Sequence, residues 1–488
     1  MTWALSGRVG VIDKSEYKNR AIARIIAPFF VERRMTDSIP SDLPRIPVAS
    51  DTLPRRPSRD LAHLPGPRGH RLWGNSRDFL PNPGQYIREM RRRYGNCFTV
   101  GVLGNRRLVI LAGPAANRLV LLDADDNFSS RWGWEVVSAH FPGMVLLRDF
   151  ADHRPHRRMM TPLFKPAALR QHLVQMDPII RESIRSWPDE VDVYRENKRL
   201  TLEVALRVFG GFTGQAVHEP LYRDMATLLD NVLAGRGVRR WRGLRAGDRL
   251  RRALHKELAM RRRNDGEDLF TRLARWKDES GRRLSDQDVV DHMLGLLFAA
   301  HDTTASALTT MSIKLAEDPV WQDRLRGECQ AVRRDFGDRL TAEGLDHLPL
   351  MDAFFRETLR LYSPLQMIPR RPVRAFRFEG HRIPANAHIL LFPQVTHFDA
   401  EFFPEPERFD PLRFIDAPGP EPFAFIPFGR GSHMCLGMHF AALEVKAVLF
   451  QLLLDKRIDP GEQDGGALNY VPIVRPLRSV RLRMSPLM

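Results

Sequence analysis

The chain has 488 residues, 43% of them hydrophobic, enough to bury a large core, and it carries a formal net charge of +16. Its three cysteines, Cys97, Cys329 and Cys435, include no CxxC pair, which excludes a disulfide framework and a zinc or iron–sulfur centre and points to a reducing cytoplasm. No apolar run approaches the roughly 18 residues that span a bilayer and no signal-peptide pattern is present, so neither an integral membrane protein nor a secreted one is expected.

From the N-terminus, residues 14–35 place Ile22, Ile25, Ile26, Phe29 and Phe30 on one helical face with Arg20, Arg24, Arg33 and Arg34 nearby. The pattern suits peripheral contact with a membrane surface or, because Pro28 interrupts it, packing on the main body. The Pro-rich stretch from Ile39 to Pro67 reads as a linker, so the chain divides into an extension over 1–63 and one large domain over 64–488. Length alone would suggest about three domains, but no further boundary or repeat is visible. Cys97–Val102 and Arg107–Ala112 are apolar, β-branched runs joined by Leu103-Gly104-Asn105-Arg106, which predicts a hairpin, and Pro114 then opens a helix.

Helices dominate from Met159 to Leu361. Within them Arg239, Arg240, Arg242, Arg245, Arg249, Arg251 and Arg252 read as a solvated basic face, because no helix-turn-helix, zinc or aromatic-basic module accompanies them and nucleic acid is not expected. The longest apolar-periodic segment runs from about Ser285, its cap, to Leu315, ahead of Pro319. Short strands return between Pro372 and Leu391, with Gly380 as a turn. A Pro-rich coil then leads to a helix over Leu436–Leu453, where Phe440, Leu443, Ala447 and Phe450 recur at helical spacing. The reading is mainly α with small β-sheets.

Three constellations carry chemistry. Ala299-Ala300-His301-Asp302-Thr303-Thr304 sets an acid beside an alcohol in an apolar helix, where polar groups are costly unless used or paired. Taken alone, a threonine bonded back to the carbonyl one turn earlier accounts for it. Glu357 and Arg360 stand at i and i+3 among Phe354, Phe355, Leu359, Leu361 and Tyr362, which predicts a buried ion pair. The third is Phe428-Gly429-Arg430-Gly431-Ser432-His433-Met434-Cys435-Leu436-Gly437. Gly429 and Gly431 allow a tight turn bare of side chains, Gly437 lets the next helix approach closely, and that helix's start is expected to lower the Cys435 thiol pKa. Such a loop suits a thiolate socket for haem iron, where a soft ligand favours O–O cleavage.

Phe-Gly-x-Gly-x-His-x-Cys-x-Gly resembles the haem-binding signature of the cytochrome P450 superfamily, and residues 299–304 resemble its oxygen-activation motif, with Ala300 where glycine is usual. The motifs follow in family order over about Leu64–Leu482. The resemblance implies the family's triangular prism, with haem between the long central helix and the helix after the cysteine loop. By the same resemblance, haem b is held by Cys435 on iron in a bed that includes Phe428, Gly429 and Gly437. His153, Arg157, Arg370 (or the adjacent Arg371) and His433 match the propionate ligands, and Asp302 and Thr303 the catalytic proton-delivery pair. Glu357, Arg360 and Arg408, the last from Phe403-Pro404-Glu405-Pro406-Glu407-Arg408-Phe409, match a buried structural triad. The pocket is expected to draw on Phe128–Val145, Phe298, Ala299, Leu365, Gln366, Met367, Ile368 and Pro472–Val474, including Ile473.

The function implied is a monooxygenase that inserts one atom of O2 into a lipophilic substrate, sterol-, terpenoid- or fatty-acyl-like. No flavin or nicotinamide domain follows Met488, so electrons are expected from a separate ferredoxin or flavodoxin. Arg154, Arg157, Arg158, Lys165, Arg430 and Lys446 would offer it a basic surface. Two rivals remain: a peroxide-using haem-thiolate peroxygenase, which needs neither Asp302 nor Thr303, and a non-enzymatic haem sensor that uses the positive charge.

Overall fold

A computed structural model describes residues 48–487 apart from 55, 103–105, 213–214, 233–236, 279, 416–418 and 464–466. The amphipathic segment 14–35 and most of the hairpin turn at 103–106 lie outside the described residues.

The helices of eleven residues or more are α1 (Pro83–Tyr94), α2 (Phe150–Met160), α3 (Pro166–Ser186), α4 (Val193–Val204), α5 (Gln215–Asn231), α6 (Val238–Arg261), α7 (Asp286–Glu317), α8 (Pro319–Phe336), α9 (Pro349–Leu361) and α10 (Met438–Asp455). Their starts are written in the sequence. Ser285 caps α7 by accepting from the Asp288 N–H at 3.0 Å, Asp318 caps α8 through the Val320 and Trp321 N–H groups, and proline occupies the first turn of α1, α3, α8 and α9. The 32-residue α7 is buried over most of its surface rather than along one stripe, with Ala299 exposed midway along it. It packs against α4, α6, α9 and α10 through the largest apolar cluster, to which Val289, Leu294, Leu308 and Met311 belong.

The main sheet is built from β1 (Cys97–Val102), β2 (Arg106–Leu111), β3 (Phe128–Ser129), β4 (Ile368–Pro372) and β5 (Ile389–Leu391), in the order β1-β2-β5-β4-β3. The predicted hairpin is antiparallel with Val100 opposite Leu108, while β2 pairs with β5 in parallel. Side chains alternate between its faces as a strand requires. Phe98, Val100 and Ile110 pack with Ile87 and Met90 of α1, whereas Cys97, Val109 and Leu111 pack with Leu61, Ile389 and Ile426. A second, antiparallel sheet sets Val480–Pro486 between Glu190–Asp192 and Lys456–Gln463.

The stretch from Val48 to His63, read from sequence as linker, lies on the body. Trp132 donates its indole N–H to the Ser50 carbonyl at 2.7 Å, and the Asn386 amide donates to the carbonyls of Pro54 and Arg56 at 2.9 and 2.7 Å. Leu61 is fully buried. Beyond a single 3-10 turn at Ala49–Thr52, Pro54 and Pro57 interrupt regular structure, and the Trp132 and Asn386 side chains supply donors to carbonyls of the segment.

Candidate active site

Cys435 is the exposed cysteine; Cys97 and Cys329 are buried, and burial pushes the Cys97 thiol up to about 12. Its loop turns twice. Gly429 N–H donates to the Ile426 carbonyl at 3.0 Å, Met434 N–H to Gly431 at 3.1 Å, and Cys435 N–H to Phe428 at 2.9 Å. Gly429 and Gly431 sit at φ of 67° and 71°, where only glycine is unstrained. A Cβ on Gly431 would lie 1.8 Å from the Leu121 carbonyl oxygen, while one on Gly429 or Gly437 meets nothing within 4 Å. The thiol pKa departs from expectation. Dense protein around Cys435 raises it even though the residue is exposed, and the Gly437 N–H and Arg157 oppose that without reversing it.

Four basic side chains, two imidazoles and two guanidinium groups, converge beside this loop. The rings of His153 on α2 and His433 lie 4.0 Å apart at 31°. Burial, then Arg157 and Arg370, pushes His153 down to about 4; burial, then His153, Arg370 and Arg157, holds His433 well below the usual imidazole range. Arg157 makes no side-chain hydrogen bond or ion pair among the described residues, and Cys435, were it ionised, would favour its charge. Arg370 is 4% exposed, with Asp149 and Asp123 the acids near enough to favour its charge. Its neighbour Arg371 binds Glu135 at 2.8 Å, which separates the two arginines that the sequence left open. Two arginines and two imidazoles offer hydrogen-bond donors to an anion, and a cofactor with a metal and two carboxylates fits the set. That is the donor chemistry of haem.

On α7, Thr303 donates its hydroxyl to the Ala299 carbonyl at 3.0 Å, and Ala299 itself is exposed. Asp302, next to it in sequence, is held by two basic side chains. Lys198 on α4 lies 3.1 Å from its carboxylate and His301 Nδ1 3.3 Å, and Lys198 also reaches Asp230 at 3.4 Å. Burial raises the Asp302 pKa, but His301 and Lys198 together outweigh it and hold the carboxyl below its ordinary value. Nothing in the sequence ties Lys198 to Asp302; only the α4–α7 crossing does.

Among the pocket residues, Phe298 stacks on Phe141 with centroids 4.3 Å apart. Ile473 is half-buried in a loop tied to α7 by Ser306, whose hydroxyl donates to the Val474 carbonyl at 2.5 Å. Met367 packs against the α1 face of the sheet and Ile368 against the other. Gln366 is 1% exposed; its amide donates to the Ser363 carbonyl at 2.9 Å, while its Oε1 is buried without a hydrogen-bond partner among the described residues.

The buried triad also needs a correction. Glu357 and Arg360 are both fully buried and joined by two bonds of 2.7 and 2.8 Å. The third member is Arg413, which donates to Glu357 at 3.2 Å and is 11% exposed. Arg408 instead pairs with Glu405 at 3.0 Å on the surface, and only its carbonyl accepts from Arg360. Two Arg-Phe pairs occur here, at 408–409 and 413–414. The Asp410 N–H bonds to Glu357 at 2.8 Å and the turn Pro411–Phe414 follows, which brings the second arginine to the carboxylate. Of the six cations expected at a docking surface, Arg154 is paired with Asp126 and Lys446 with Asp352.

A family profile described as Cytochrome P450 matches residues 64–209 and 248–470. The chain is 34% identical over 372 residues to cytochrome P450 136 of Mycobacterium tuberculosis, covering 73% of this chain and 75% of the relative. It is 28% identical over 443 residues to abscisic acid 8'-hydroxylase 2 of Arabidopsis thaliana, covering 87% and 90%. A solved retinoic acid bound cyanobacterial CYP120A1 superposes with a TM-score of 0.78 at 27% identity, covering 87% of this chain and all of that one. The chain belongs to the cytochrome P450 family. It is a haem monooxygenase, using O2, a lipophilic substrate and an electron donor. No helix among the described residues is long and apolar enough to cross a membrane.

Proposed function

We propose that the chain binds haem b with Cys435 on the iron and hydroxylates a terpenoid-like lipophile in the cytoplasm, drawing electrons from a separate ferredoxin or flavodoxin. The observation that carries this reading is the convergence of the exposed Cys435 with His153, Arg157, Arg370 and His433. Those four would hold the two propionates, and Gly429 and Gly437 would offer backbone free of side chains beneath the ring. When bound, haem supplies the activation of dioxygen. The chain's own part is to bind, to exclude water and to move protons. Thr303, fixed by the Ala299 carbonyl, presents its hydroxyl oxygen as an acceptor on the open face of α7. Asp302 takes up a proton only at the expense of its pairing with Lys198, so Lys198 controls when it does.

The accessible apolar side chains of Ala299, Ile473 and Phe298, the last backed by the buried Phe141, favour a lipophilic ligand, whose burial contributes about 25 cal/mol per Å². The retinoic acid of the cyanobacterial structure and the abscisic acid in the name of the Arabidopsis relative are both isoprenoid acids, which favours the terpenoid class among those open. The test is the Soret band of the reduced, carbon monoxide-bound protein. It is expected at the long wavelength of thiolate ligation in the parent, Cys97→Ala and Cys329→Ala, and lost in Cys435→Ala. Loss in either of the first two with retention in the third overturns the assignment. A spin-state titration is expected to respond to isoprenoid lipids and not to small polar metabolites; the reverse overturns the substrate class.

A further inference from the structure

His156 on α2 and His292 on α7 have no part in the chemistry above. They are 4% and 1% exposed, and His156 Nδ1 lies 2.8 Å from His292 Nε2. Burial first, then neighbouring Arg148, holds the His156 imidazole down at about 3; burial and then His156 hold His292 well below its ordinary range. Both rings are therefore neutral, and one must donate while the other accepts. His292 Nδ1 has no partner. If His156 donated, His292 would be left with a buried N–H and no acceptor. If His292 donates from Nε2, its Nδ1 keeps only a bare lone pair, and the N–H on His156 moves to Nε2, which unlike His292 Nδ1 is not among the buried unpartnered atoms; this is the lesser cost.

A second tie lies beside the first. Arg148 reaches Asp152 on α2 at 3.4 Å and also bonds Asp288 on α7. The helix held in this way carries His153 and Arg157, one turn apart, with His156 between them in sequence. Groups that must meet one rigid anion need placement within about 0.5 Å, and that precision comes from the neighbours that fix the helix.

We propose that His292 is a positioning residue: by donating from Nε2 to His156 Nδ1 it fixes α2 on α7 and so sets His153 and Arg157 against the carboxylate edge of the haem. The inference rests on the propionate reading given above. Two variants test it, His292→Gln, whose amide can still donate, and His292→Leu, which cannot.

Haem transfer from each protein to an acceptor apoprotein, the reduction potential of the bound haem, and the tautomers of 15N-labelled histidine are the readouts. His292→Leu is expected to release haem about tenfold faster and to shift the potential, as loss of a residue that orients a ligand does, while His292→Gln stays near the parent. Both rings should report the Nε2–H tautomer. A folded His292→Leu protein with parental release rate and potential overturns the inference while leaving the propionate reading intact. So does a His292 in the Nδ1–H form, or equal effects of leucine and glutamine. Parental haem release after His153→Ala and Arg157→Ala instead overturns the propionate reading and this inference with it.

Discussion

At the scale of single residues, the proton delivery proposed for α7 would divide between two side chains with different constraints. Thr303 is held only by the Ala299 carbonyl, so Thr303→Ala should leave haem and ligand spectra unchanged while electrons from the donor appear as hydrogen peroxide instead of product. Measuring peroxide and product per reductant consumed checks this, and equal coupling in mutant and parent removes Thr303 from the reaction. Asp302 is held by Lys198 and His301. In Lys198→Met the carboxylate loses its cation, so its pKa rises and the acid limb of the kcat profile moves to higher pH. The stability contribution has the matching sign. Because the folded Asp302 pKa lies below the unfolded one, near 3.8, the contribution is complete above that value and is lost as pH falls through the folded pKa. A pH–rate profile of Lys198→Met with an unmoved acid limb counts against the pairing.

Among the elements, the coil between β5 and α10 shows how one carboxylate organises a segment poor in regular structure. Glu357 on α9 accepts from Arg360, from the Asp410 N–H and from Arg413, and Arg360 in turn donates to the carbonyls of His397, Pro406 and Arg408. The chain from 397 to 413 is thereby gathered onto α9, ahead of the cysteine loop. Removing one partner of a buried pair costs about 3–5 kcal/mol, so Arg413→Ala should lower stability by that order and impair haem uptake. Arg408→Ala, which cuts back an exposed side chain, should stay within about 0.5 kcal/mol. Denaturant melts of the two variants separate the assignments; the opposite ranking would restore Arg408. The sequence showed two Arg-Phe pairs with no local means of choosing between them.

For the molecule as a whole, the segment from Val48 to His63 belongs with the body. A chain begun at Leu64 leaves the Trp132 and Asn386 side chains without the acceptors they have here, at roughly 0.5–1.5 kcal/mol for each lost bond. Its melting temperature should fall by several degrees relative to a chain begun at Val48. Identical melting of the two overturns the packing of that segment.

What the sequence determined by itself is local. Ser285 fixes where α7 begins, the apolar period carries it to just short of Pro319, and the glycines and Cys435 mark the loop before α10, because caps, periodicity and positive φ are properties of a few adjacent residues. The grouping of His153, Arg157, Arg370 and His433 was also legible, but only through resemblance to a family, since nothing local joins positions so far apart. The tertiary structure decided which arginine reaches Glu357, that Arg371 turns to Glu135, and that Lys198 holds Asp302. Each is a contact between segments distant in the chain, set by how helices cross and which side of a strand faces the core. No pattern within one segment encodes it.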